Sequence, residues 1–182
     1  MTGSIEETGN NAEVISRIWF ISDTHFGHER IIALAHRPFA SVEVMDETLA
    51  RRWNECVKPQ DIVYHLGDVA FGPKKRQREI LSSLAGRKIL ILGSHDYDPS
   101  FLAECGFKEQ YPCLTVKIHG TPVYLIHECP PAMEALPSPC MHCLHGHEHV
   151  KQSRHPFLNI AADLWKFRPI NEDDVVGGLR IR

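Results

Sequence analysis

Apolar residues come along this chain in short blocks, each closed by a polar loop. Arg17–Ser22 (RIWFIS) is an apolar run ending at Asp23, the pattern of a buried strand entering a loop. From Glu29 the spacing of Ile31, Ile32, Leu34 and Ala35 predicts a helix, closed by Arg37–Pro38. Met45, Leu49, Trp53 and Val57, four apart, predict a second helix over 43–57. Asp61–Leu66 is the next strand, ending in a Gly-Asp loop. The unit then repeats, with a helix over Lys74–Leu84 and a strand Lys88–Leu92 ending at Gly93-Ser94-His95-Asp96. A helix over Ser100–Cys105 follows, then a hairpin of Leu114–Ile118 and Pro122–Ile126 about a His119-Gly120-Thr121 turn, ending at His127. Pro130–Pro139 reads as a Pro-rich loop with one helical turn. Cys140–Leu144 is a strand running into His145-Gly146-His147-Glu148-His149, and Phe157–Ile160 and Val175–Ile181 are expected as the final strands, the latter bent at Gly177-Gly178.

This alternation predicts one α/β domain over residues 14–182 behind a polar, disordered tail over 1–13. The length of 182 residues buries roughly two-thirds of the unfolded surface in one domain. The longest apolar run, Ile31–Ala35, is far too short to span a membrane. No basic segment leads into an apolar one at the N-terminus, so a Sec-type signal peptide is not expected. A net charge of −3 argues against extended nucleic-acid binding through bulk electrostatics, and Lys74-Lys75-Arg76 with Arg78 reads as the solvated start of a helix. Six cysteines without a secretion signal read as reduced thiols, and a cytoplasmic location is expected, in a bacterial cell or in a host if phage-encoded.

Histidine changes the picture: there are 12, several beside Asp or Gly. Successive apolar strands end in Asp23-x-His25, Asp68, Ser94-His95-Asp96, His127 and His147-x-His149. In open α/β sheets ligands bind beyond the carboxyl ends of the strands, so these loops deliver their polar residues to one edge. One Asp-x-His occurs by chance in many chains; a cluster at strand end after strand end does not. Carboxylates and imidazoles without cysteine suit Mn²⁺ first, with Fe or Zn²⁺ as alternatives, over an all-oxygen Ca²⁺ cage. Two ions some 3.5–4 Å apart clamp the attacking and leaving oxygens of an in-line displacement at phosphorus, and Asp68 has two oxygens with which to bridge them.

These residues, in this order, resemble the five signature blocks of the calcineurin-like metallophosphoesterases: Asp23-Thr24-His25, Gly67-Asp68, Gly93-x-His95-Asp96, His127 and Gly146-His147-Glu148-His149. The stretches Asp23–His28 and Tyr64–Gly72 are similar to the small bacterial and phage-type branch. The resemblance implies a two-sheet α/β sandwich flanked by helices. It also implies Asp23, His25, Asp68 and His149 around one metal, Asp68, His127 and His147 around the other, a metal-bridging hydroxide as nucleophile, and His95 protonating the leaving oxygen. The third block of the family normally reads Gly-Asn-His-Asp or Gly-Asn-His-Glu, the Asn amide ligating the second metal. Ser94 stands there, a shorter and poorer ligand, so a weaker or differently selective second site is expected.

Other residues carry two readings. His28 either touches substrate or caps the following helix, and Arg37 either neutralises a substrate phosphate or is a solvated helix-end arginine. Asp163 either orients a ligand histidine or is a surface carboxylate. Cys140-x-x-Cys143 lacks the second pair of a zinc ribbon, and Ser94-His95-Asp96 is no hydrolase triad, since consecutive residues cannot chain inward. The sequence therefore predicts a dinuclear phosphoesterase with an open site. Its expected partner is a small phosphoester, foremost a phosphodiester such as a cyclic nucleotide, 2′,3′-cyclic ones included. The rival is a protein-interaction scaffold on the same fold with a weakened metal site. Ser94 is its only support, and a scaffold has no use for a leaving-group acid.

Overall fold

The run expected at Arg17–Ser22 forms β1 (Ile18–Ile21), and its alternation sets up both layers of the molecule. Trp19 and Ile21 join one buried cluster, while Phe20 between them joins another, because successive strand residues face opposite sides. A computed structural model of the chain describes residues 16–151 and 154–180; the expected tail over 1–13 lies outside them.

After α1 (Glu29–Leu34) and α2 (Val42–Cys56), β2 (Ile62–His65) lies parallel to β1. Then α3 (Lys74–Ser83) leads to β3 (Arg87–Ile91), parallel to β2, and α4 (Pro99–Glu104) leads to β4 (Glu109–Tyr111), parallel to β3. The second sheet begins with β5 (Cys113–Ile118) and β6 (Thr121–Ile126), an antiparallel hairpin whose turn residues His119 and Gly120 both have positive φ, +46° and +82°. The Pro-rich loop carries a single 3₁₀ turn, Met133–Ala135, and β7 (His142–His145) and β8 (Phe157–Asn159) extend the sheet in parallel. Finally β9 (Ile170–Asn171) returns antiparallel to β1, and α5 (Glu172–Leu179) follows. The sheet orders are β4-β3-β2-β1-β9 and β5-β6-β7-β8.

Met45, Leu49 and Trp53 face the first sheet at a four-residue spacing, and the Ser41 hydroxyl caps α2 by accepting from the Val44 N–H. Each such side chain, fully buried, stabilises by about 1.5–3 kcal/mol. Phe20, Leu66 and Ile91 meet Val123, Leu125, Leu144 and Leu158 between the sheets. The sheets are stitched where β1 and β8 end: Ser22 N–H donates to Ile160 O at 3.2 Å, and Ala162 N–H to Ser22 O at 2.9 Å. That seam brings the carboxyl ends of β1, β2, β3, β6 and β7 to one edge.

The two-sheet architecture flanked by helices is as expected, with three corrections in detail. The strand expected over Val175–Ile181 is helical where it is described, Val175–Leu179 lying in α5 and Ile181 falling outside the described residues: Asn171 and Asp174 form a capping box, and Glu172, Asp173 and Asp174 place acids on the first turn. Gly178 is there for packing, since a Cβ would come within 2.8 Å of Leu158 Cδ2. The strand expected over Cys140–Leu144 starts later, at His142, and β4 and β9 are additional short strands. Among the described residues no helix is long and apolar enough to cross a membrane, and all six cysteines are free.

Candidate metal centre

Four residues at this edge hold backbone conformations that side chains rarely adopt: Asp23, His25, Asp68 and His147, at φ +56°, +50°, +57° and +67°. Such strain persists only where surrounding contacts over-determine it. Here they do. Asp23 N–H donates to Gly67 O and His25 N–H to Asp68 O, each at 3.0 Å. The buried Asp96 carboxylate accepts from the N–H groups of Asp68, Val69 and Gly93 at 2.9–3.0 Å, locking the second and third loops together. Glycine is needed where these loops cross: a Cβ on Gly67 would lie 2.7 Å from His127 Nδ1, and one on Gly146 would collide with the Ser22 hydroxyl and the Asp23 carboxylate.

The expected ligands gather in two groups, Asp23–His25–His149 and Asp68–His127–His147, each able to hold an ion. Asp68 lies between them. Its Oδ2 is 3.6 Å from His25 Nε2 and its Oδ1 is 3.5 Å from His127 Nε2. His25 Nε2 and His149 Nε2 lie 3.9 and 3.7 Å from Asp23 Oδ1. Asp23 Oδ1, His25 Nε2 and His127 Nε2 are buried without a hydrogen-bond partner. Leaving such atoms unsatisfied is costly, so their convergence fits a divalent ion that completes them. Burial holds the His25 imidazole neutral by pushing its pKa far down, which leaves a lone pair for coordination. Burial likewise pushes Asp23 up, against the pull of His127 and His149.

The other nitrogens of the ligand histidines are held in place. His127 Nδ1 donates to Leu66 O at 2.7 Å, and His149 Nδ1 to Asp163 Oδ2 at 2.8 Å. Burial opposes the Asp163 charge, but hydrogen bonds from His149 and Arg37 outweigh it and hold its pKa below the usual carboxylate value. His95 stands beside the groups, its N–H on Asp68 Oδ1 at 2.9 Å and its Nδ1 2.8 Å from Asp68 Oδ2. Ser94 is exposed, its hydroxyl 3.2 Å from His95 Nδ1, and lines a small cavity with His127. His28 lies at the centre's rim: its ring stacks on Phe71 at 4.2 Å, its Nδ1 is 3.3 Å from His25 Nδ1, and its side chain does not cap α1.

Arg37 does not face the substrate side. It is buried, and all five N–H groups are committed: to both Asp163 oxygens, to the carbonyls of Thr24 and Asp23, and to the Met45 sulfur. With no donor left for a phosphate, its expected substrate contact is replaced by a positioning one. Sequence reasoning also missed Phe71, whose ring packs against His25, His28 and His95. It missed His65 as well, buried with its Nε2 2.9 Å from the Thr24 hydroxyl. Both lie inside or beside the Tyr64–Gly72 stretch, which was the available signal.

A family model described as calcineurin-like phosphoesterase matches residues 16–176. An uncharacterized protein of Methanocaldococcus jannaschii is 33% identical over 170 residues, spanning 88% of this chain and 89% of the relative. The gene 66 protein of Mycobacterium phage L5 is 42% identical over 85 residues, 45% of this chain and 41% of the phage protein. A protein of unknown function from Aquifex aeolicus has a crystal structure that superposes with a TM-score of 0.74 at 28% identity, covering 90% of this chain and 99% of that one.

Proposed function

This chain belongs to the calcineurin-like phosphoesterase family and is thereby a metal-dependent phosphoesterase, and on that premise we propose that it is a phosphodiesterase acting on cyclic nucleotides or other small phosphodiesters, with Mn²⁺ as its metal. The observation that carries the reading is the convergence of Asp23 Oδ1, His25 Nε2 and His127 Nε2, buried and unpartnered, on either side of Asp68. Asp23, His25 and His149 would hold one ion and His127 and His147 the other, with the Asp68 carboxylate, whose oxygens lie 3.6 Å from His25 Nε2 and 3.5 Å from His127 Nε2, available to both. Ions bound there would supply Lewis acidity, lowering the pKa of a bound water and offsetting phosphoryl charge.

The chain's own residues do the rest. His95 Nδ1 is anchored on Asp68, so the ring is fixed and its Nε2 edge is free to give a proton to the departing oxygen. Arg37 and Asp163 hold the ring of His149, and Leu66 O holds that of His127, so the ligand nitrogens are aimed before any ion arrives. The His147 side chain and 42% of that of His95 are exposed, and an open site accepts diesters with variable leaving groups more readily than it selects one monoester. The test is hydrolysis of an aryl phosphodiester with and without Mn²⁺, extended to 2′,3′- and 3′,5′-cyclic nucleotides and to monoesters. Mn²⁺-stimulated turnover lost on adding a chelator, faster on diesters, is the expected outcome. Faster monoester turnover overturns the diester preference, and no metal-dependent turnover overturns the whole reading.

A further inference from the structure

Beside His95 lies a cavity of about 200 Å³ lined by Phe71, Gln77, His95, Tyr97, Phe101 and Leu102 among others. The buried side chains of Phe101 and Leu102 give it an apolar part, with Lys74 Nζ and Arg78 Cζ 5.0 and 5.1 Å from the Phe101 ring centroid. Tyr97 on its wall is 79% exposed, and the aromatic ring near it is that of His95, edge-on at 5.9 Å. A lone exposed aromatic is unremarkable on a surface. One that stands in contact with the ring proposed to protonate the leaving group, at a cleft with an apolar part, is placed to take that group.

We propose that this cleft seats the base of a nucleotide substrate, so that the leaving oxygen departs toward His95 with its nucleoside stacked on Tyr97. The inference rests on the phosphodiesterase reading. In the step itself, water gives up one proton to solvent as its oxygen forms a bond to phosphorus, the bond from phosphorus to the sugar oxygen breaks, that oxygen takes the proton from His95, and His95 regains a proton from solvent. Size favours one ring system, because sites that enclose whole ligands run to about 300–1,000 Å³. Charge favours a neutral ring over a second phosphate. The ammonium of Lys74 on this wall is already paired with Asp98 at 2.5 Å, and the Asp96 carboxylate is buried on the N–H groups of Asp68, Val69 and Gly93, so neither cation nor anion is left over for a ligand. Gln77 donates through Nε2 to Gly72 O at 2.7 Å, which fixes its amide at the wall of the cleft.

Tyr97 is exposed and outside the metal groups, so its replacement leaves the fold intact. Two substrates separate the base from the phosphate: a 2′,3′-cyclic purine nucleotide, and the cyclic phosphate of ethanediol, which has no base. Tyr97→Ala is expected to raise KM about tenfold on the nucleotide and to leave the base-free ester within about twofold. Tyr97→Phe, which keeps the ring, restores the nucleotide KM. Titration of the metal-free protein with adenosine reads the cleft without turnover, and Tyr97→Ala is expected to weaken that binding about tenfold as well. Equal losses on both esters, an unchanged KM, or adenosine binding no tighter than that of ribose overturns the proposal. Should the wild type cleave neither ester, the phosphodiesterase reading fails, while the adenosine titration still decides the cleft.

Discussion

Arg37 and Asp163, 126 residues apart in the chain, meet in two parallel hydrogen bonds: Nε to Oδ1 at 2.8 Å and Nη2 to Oδ2 at 2.9 Å. The same guanidinium holds the Asp23 and Thr24 carbonyls, and the same carboxylate holds His149 Nδ1 at 2.8 Å. One buried pair thus ties the first metal loop to the last. Arg37→Met leaves Asp163 buried without its counter-charge. It is expected to cost about 3–5 kcal/mol in urea unfolding of the metal-free protein. A loss below about 1 kcal/mol contradicts the positioning role and reopens a substrate role for Arg37.

His95 divides substrates by leaving group. A general acid matters most where the departing oxygen needs a proton, so His95→Ala is expected to slow an alkyl phosphodiester by ~10²–10⁴ and a nitrophenyl ester far less. Equal losses on the two esters would mark His95 as a binding or structural residue.

Ser94 is where the chain leaves its family's pattern, and its hydroxyl turns to His95 Nδ1 at 3.2 Å. An asparagine amide reaches further and offers a better oxygen. Ser94→Asn is expected to saturate with Mn²⁺ at lower concentration than the wild type in activity titrations. An unchanged Mn²⁺ dependence and stoichiometry would mean that the second ion is completed from elsewhere.

His65 gives a pH signature of folding. Burial pushes its pKa down from 6.5 to about 3, so the folded chain keeps it neutral while the unfolded chain protonates it. Between those values the unfolded state binds the extra proton, so stability rises with pH and is lost as pH falls through that window, by up to ~1.4 kcal/mol per pH unit from this group. Urea unfolding of the metal-free protein at a series of pH values reads this slope, and His65→Gln is expected to flatten it. A parallel pH profile for the variant would remove His65 as the cause.

How much of this was legible in sequence depended on whether the signal was local. The strand ends were, because an apolar run stopping at Asp23, Asp68 or His127 states both the strand and the loop. Val175-Val176-Gly177-Gly178 read as a bent strand because β-branched residues and glycines disfavour helices, yet the Asn171–Asp174 capping box and three acids won locally. That signal was in the sequence. Glu109–Tyr111 carried none, being three residues at the edge of a sheet and no more than half-buried. Arg37 and Asp163 could not be sorted between surface and interior, since each is charged and their meeting is made by the fold alone. Ser94 was visible as a departure, and its turn toward His95 was not.

If Asp68 serves both proposed ions at once, metal content and turnover fall together when its carboxylate is removed. Wild-type protein loaded with Mn²⁺ and freed of excess is expected to carry about two ions per chain and to hydrolyse a phosphodiester. Asp68→Asn, prepared identically, is expected to lose metal from both positions or to turn over at least ~100-fold more slowly, since even residues that merely support ligands cost 10–100-fold. A variant that keeps both ions and a near-normal rate would rule out a shared role for Asp68.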